Sequence, residues 1–117
     1  MKQAIVLFAH GSRDPEWARP FDAIAAELSE KSLVRVAYLE QMKPDLAEAV
    51  AALAAAGARS IRVVPLFLGS GGHVKQDLPR LVAAARVAHA GVEITLEQPI
   101  GEQPAVLAAI ARAISAK

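Results

Sequence analysis

Residues 4–9 read Ala-Ile-Val-Leu-Phe-Ala, an uninterrupted apolar run of strand length that stops at His10-Gly11. A strand with one face in a core alternates apolar and polar residues. A run that is apolar at every position suits a strand covered on both faces, as in a parallel sheet between helical layers. Parallel neighbours need crossover connections, usually helices, and the rest of the chain supplies them. Asp14-Pro15 reads as an N-cap with proline in the first helical position, and Trp17, Phe21, Ile24 and Leu28 come next at helical spacing, a stripe expected to lie on the sheet. Residues 33–39 are β-branched and partly alternating, a second strand ending near Glu40. Pro44-Asp45 opens a second helix with Leu46, Val50 and Leu53 on one face and Gly57 as its C′ residue. Residues 60–68 form a third strand whose pairing is interrupted at Pro65, which has no N–H. Beyond Gly69-Ser70-Gly71-Gly72, Asp77-Leu78-Pro79 marks a third helix, with Leu78, Leu81, Val82 and Ala85 inward and Gly91 closing it. Residues 92–96 make a short fourth strand. A last helix runs over 104–114 with Leu107, Ile110, Ala111 and Ile114 on its apolar side.

The order βαβαβαβα with short connections predicts a three-layer α/β/α sandwich around a four-stranded parallel sheet. A length of 117 residues permits one domain spanning 1–117. With 54% hydrophobic and 21% charged residues, disorder is excluded. The 26 alanines, concentrated in the helices, favour helix formation but offer little apolar area each, so help from a second subunit is expected. Thirteen Lys+Arg against 12 Asp+Glu is too even a balance for a protein that grips nucleic acid or a membrane surface by bulk charge. The absence of cysteine excludes disulfides, thiolate metal sites and a cysteine nucleophile. The first apolar run is too short for a secretory signal, and no segment approaches the ~18 to 20 apolar residues that span a bilayer, so a soluble cytoplasmic protein is expected.

Open parallel sheets bind ligands beyond the carboxyl ends of their strands. Those ends carry His10-Gly11-Ser12-Arg13, then Glu40, then Gly69-Ser70-Gly71-Gly72-His73, then Glu97. Two of three histidines and two carboxylates therefore converge on one edge. His89 falls in the last turn of the third helix, where a cation complements the helix dipole and no chemistry is required. Taken singly, His10 is a polar residue closing a strand and His73 a residue after flexible glycines; together, at equivalent strand ends, they suggest one site. Imidazole binds Fe, Co, Ni, Cu and Zn, and two imidazoles with one carboxylate leave coordination positions open, which suits a metal in transit better than a closed structural site. The glycine-rich stretch lacks the spacing of both phosphate-binding fingerprints, and its glycines more simply let a flat or bulky ligand approach the backbone. Arg13, Lys75 and Arg80 are available to anionic groups of such a ligand. Ser12 and Ser70 do not stand in G-x-S-x-G, which discounts serine catalysis. Ala9 precedes His10 where a histidine phosphatase carries arginine. The residues alone leave two classes open: a metal-handling enzyme, or a non-enzymatic module that binds or carries Co²⁺ or Ni²⁺.

Leu7–Pro15, then Tyr38-Leu39-Glu40 followed by Pro44, and above all Val64-Pro65-Leu66-Phe67-Leu68-Gly69-Ser70-Gly71-Gly72-His73-Val74-Lys75-Gln76-Asp77-Leu78-Pro79, resemble in order the small tetrapyrrole chelatases of the CbiX/SirB type. The resemblance covers nearly the whole chain and implies a flavodoxin-like, chelatase-type fold. It implies insertion of Co²⁺ or Fe²⁺ into sirohydrochlorin, with the metal as substrate and no permanently bound cofactor. His10 and His73 would then be the metal-binding, catalytic histidines and Glu40 a carboxylate near the metal. Ser12, Arg13, Ser70, Gly71, Gly72 and Lys75 would meet the ring's peripheral carboxylates. Larger members resemble two fused lobes with the macrocycle between them, so a one-lobe chain is expected to form its cleft as a homodimer.

Overall fold

The computed structural model describes residues 2–69 and 71–116, the side chains of Lys2 and His73 excepted. Four strands, β1 (Lys2–Ala9), β2 (Leu33–Tyr38), β3 (Ala58–Pro65) and β4 (Glu93–Leu96), form one all-parallel sheet in the order β2-β1-β3-β4. The helices are α1 (Arg19–Leu28), α2 (Leu46–Ala55), α3 (Gly72–Ala88) and α4 (Pro104–Ser115). The central position of β1 is what its continuous apolar run requires. Val6 and Phe8 join Ala37, Ile61 and Val63 in the larger core beneath α2 and α3. Ile5 and Leu7 join Val34 and Val64 on the opposite face, against Ala25 and Leu28 of α1. Residues 4–9 of β1 are all buried.

Local signals account for most element ends. Asp45 caps α2 through a full capping box: its carboxylate accepts the Glu48 N–H at 2.8 Å while the Glu48 carboxylate accepts the Asp45 N–H at 2.9 Å. Gly57 lies just past the helix with φ +100°, a left-handed conformation that glycine adopts without a Cβ penalty. β3 stops at Pro65, although the Leu66 N–H still donates to the Phe8 carbonyl at 2.8 Å.

Three expectations are corrected. A 3-10 turn over Pro15–Ala18 precedes α1 and changes the helical phase, so Phe21, Ala25 and Leu28 are half-buried while Ile24 is 40% exposed. The third helix begins at Gly72, behind an extended N-cap at Gly71, rather than near Asp77. His73 and Lys75 thus lie in its first turn, Pro79 lies inside it, and Val74 joins Leu78, Val82 and Ala85 in the core while Leu81 is turned outward. α4 has no buried residue and packs on the short turn Ile100–Glu102 that precedes it, leaving Leu107 and Ile114 52% and 69% exposed. The Cα radius of gyration of 14.5 Å exceeds the about 13 Å of a compact chain of this length, in keeping with a helix standing clear of the sheet.

Candidate functional site at the carboxyl edge of the sheet

β1 and β2 remain hydrogen-bonded past their formal ends. The Leu39 N–H donates to the Ala9 carbonyl at 2.9 Å and the Glu40 N–H to the His10 carbonyl at 3.0 Å, so His10 and Glu40 are neighbours by backbone. Gly11, at φ +98°, makes that approach possible: a Cβ there would collide with the Glu40 carbonyl. The excursion 39–43 is closed at its base by the Tyr38 N–H donating to the Pro44 carbonyl at 2.9 Å. Within it Gln41 adopts φ 71°, unusual for a residue with a side chain, and its amide oxygen lies 3.4 Å from Arg13 Nε, tying the two loops together. Tyr38 is buried beside Trp17, with ring centroids 6.3 Å apart. Burial, then the Asp22 carboxylate, push its hydroxyl above the ordinary tyrosine value of 10.0.

The His10 side chain is exposed, and its ring lies against Phe67 with centroids 4.7 Å apart and planes inclined at 43°. Glu40 is exposed beside it. β3 adjoins β1, so the start of α3, with His73 in its first turn, rises from the neighbouring strand end. The His73 side chain and Ser70 lie outside the described residues. Gly69, Gly71 and Gly72 have open space where a side chain would stand, and none of the three has positive φ, so here glycine leaves room rather than relieving strain. Lys75 is exposed on the first turn of α3 and lines, with Pro65, Leu78, Leu96 and Glu97, a recess of about 150 Å³. A second recess of about 310 Å³ opens at Glu40 and Gln41.

Two groups placed on this edge by sequence are engaged in other work. The Ser12 hydroxyl oxygen accepts the Asp14 N–H at 3.1 Å, and the Asp14 carboxylate accepts the Glu16 N–H at 3.0 Å, so Ser12 shapes the turn that leads into α1. Glu97 makes a two-pronged ion pair with Arg62, at 2.6 Å to Nε and 3.0 Å to Nη2. That pairing holds its carboxyl below the usual range, against the opposing effect of burial, so Glu40 is the carboxylate near His10 without such a partner among the described residues. No group of three or more His, Asp or Glu with metal-binding spacing occurs among the described residues. Sequence reasoning missed Phe67, which reads as one more core residue although its ring lies against His10.

The CbiX family model matches residues 4–117. The sirohydrochlorin cobaltochelatase of Saccharolobus solfataricus is 39% identical over 104 residues, which span 83% of this chain and 81% of that one. Among solved structures, the CbiX protein of Marinobacter aquaeolei VT8 superposes with a TM-score of 0.85 at 34% identity, over 97% of this chain and 94% of its own. The sirohydrochlorin chelatase SirB of Bacillus subtilis subspecies spizizenii, solved in complex with cobalt, superposes with a TM-score of 0.83 at 29% identity. It is matched over 98% of this chain but only 50% of its own length.

Proposed function

The chain belongs to the CbiX family, and from that membership we propose that it is a tetrapyrrole chelatase that inserts Co²⁺ into sirohydrochlorin. The observation that carries this reading is an exposed imidazole at the carboxyl edge of a parallel sheet, in a chain 39% identical to a sirohydrochlorin cobaltochelatase. Fe²⁺ is the second metal to test, because a SirB structure holds Fe³⁺. The metal is substrate in this reaction, and no resident cofactor is needed.

Insertion removes two pyrrole N–H protons while the ion exchanges water for ring nitrogens, so the site needs a loose hold on the metal and a base in one place. His10 and His73 serve both needs, as ligands first and proton acceptors afterwards. Glu40, fixed beside His10 by the backbone bond between them, balances charge or passes protons to solvent. The open space at Gly69, Gly71 and Gly72 admits the flat macrocycle, and Arg13, Lys75, Ser70 and the hydroxyl proton of Ser12, whose oxygen accepts the Asp14 N–H, are offered to its carboxylates.

One lobe provides only one wall of a cleft. The chain matches half of SirB, and α4 displays Leu107, Ile110 and Ile114 without covering them. A helix apolar on nearly every side is normally buried. A homodimer that supplies the second wall is therefore part of this proposal, as is a cytoplasmic location. Among the described residues no helix is long and apolar enough to cross a membrane.

The test is anaerobic: metal-free protein, sirohydrochlorin and Co²⁺, with the visible spectrum tracked against a protein-free control. Protein-dependent metallation supports the chelatase. Tight Co²⁺ binding without acceleration would replace it with a metal-binding or carrier role.

A further inference from the structure

His10 stands at the edge of the sheet with its side chain exposed, and no hydrogen bond holds its imidazole among the described residues. Its ordered contact is the Phe67 ring at 4.7 Å. Phe67 itself is only 5% exposed and is fixed on three sides. Its ring meets Phe8 edge-on, with centroids 6.2 Å apart and planes at 80°. The preceding residue, Leu66, is tied to the Phe8 carbonyl by its N–H. The Phe67 carbonyl accepts the N–H of the buried Gly101 at 2.9 Å. The turn carrying Gly101 sits directly on the Leu68 backbone, where a Cβ at position 101 would collide.

We infer that Phe67 is a positioning residue for His10, and that Gly101 is the buttress that keeps Phe67 in place. The inference rests on the chelatase reading. An exposed histidine samples several rotamers, but one that must hold a metal and then take a proton from a ring nitrogen is useful only when aimed at the macrocycle. An aromatic contact of this geometry biases the rotamer population roughly two- to tenfold, a factor that passes directly into turnover. The path runs from the turn after β4, through Phe67, to the end of β1, so a segment with no reacting group sets the aim of the reactive imidazole.

The experiment compares Phe67→Leu, which keeps apolar bulk but removes the flat ring, with Gly101→Ala, Phe67→Tyr and Val82→Ala. Val82 is buried in the larger core, and its truncation controls for stability loss alone. In metal-free protein, the His10 ring-proton resonance is assigned by its disappearance in His10→Gln. Phe67's ring current displaces it from the position of a free histidine; it returns toward that position in Phe67→Leu and Gly101→Ala, and stays displaced in Phe67→Tyr. In Co²⁺ insertion, Phe67→Leu and Gly101→Ala lose roughly two- to tenfold in kcat with an unchanged KM for the tetrapyrrole. Phe67→Tyr recovers most of the rate, and Val82→Ala keeps it despite a lower Tm. Wild-type kcat in Phe67→Leu, an unmoved resonance, or an equal kcat loss in Val82→Ala overturns the inference. A wild-type protein that inserts no metal removes the chelatase reading and this inference together, whereas wild-type insertion with an unaffected Phe67→Leu removes this inference alone.

Discussion

Replacing Gly11 by alanine tests how the site is joined to the sheet. Two penalties add. A non-glycine residue held at φ +98° costs about 1–3 kcal/mol. The new methyl would also occupy the place of the Glu40 carbonyl, so loop 39–43 must move and the 3.0 Å bond from the Glu40 N–H to the His10 carbonyl is lost, a further ~0.5–1.5 kcal/mol. Gly57 provides the internal control: its φ is +100°, but nothing stands within 4 Å of a Cβ built on it, so Gly57→Ala pays only the first penalty. Urea unfolding monitored by far-UV circular dichroism should place Gly11→Ala about 1.5–4.5 kcal/mol below wild type, and below Gly57→Ala by about 0.5–1.5 kcal/mol. Because the displaced loop carries Glu40, metal insertion by the folded fraction should fall as well. Equal stabilities for the two variants would refute the close approach of the β1 and β2 ends on which the site is built.

Asp45→Ala removes the acceptor half of the capping box and should cost about 1 kcal/mol by urea unfolding without changing activity; a neutral result would show that the box does not hold α2. The Arg62–Glu97 pair is partly exposed and is expected to contribute no more than about 1 kcal/mol. Its hydrogen bonds lower the folded-state pKa of Glu97, so this stability is present above the ordinary value of 4.5 and lost as pH falls through the lowered one. The stability gap between wild type and Glu97→Gln should therefore close in acid, and a gap of equal size at pH 7 and pH 3 would contradict the assignment. Ile110→Glu combined with Ile114→Glu should convert a dimer to a folded monomer by sedimentation velocity and abolish insertion. A wild-type protein already monomeric at assay concentration would rule out the homodimer.

The sheet is legible in the sequence because β1 is apolar at every position, a pattern that a strand exposed on one face does not show. The capping box and Gly57 set the limits of α2 for equally local reasons. The start of α3 is concealed because Gly72 is a poor helix former and Pro79 resembles a first-turn proline, although the helix accommodates it in its interior. The phase of α1 is concealed because a 3-10 turn advances three rather than 3.6 residues per turn and carries Ile24 off the buried stripe. His10 and Glu40 are legible because each stands directly after a strand, at the edge where open parallel sheets bind ligands. That Glu97 is tied up by Arg62 depends on strand register, Arg62 facing Thr95, and no local pattern reveals it. Phe67 is hidden for a related reason: an apolar residue has the same sequence signature whether it fills a core or aims an imidazole.

The most direct test of the chelatase reading is the initial rate of Co²⁺ insertion into sirohydrochlorin, measured anaerobically for wild type and His10→Ala after both have been shown to share the same far-UV spectrum and Tm. Wild type should metallate the ring in a protein-dependent manner, and the variant should give a rate indistinguishable from the protein-free control. Equal turnover by the two proteins would contradict the reading, because the imidazole at the end of β1 would then take no part in the chemistry.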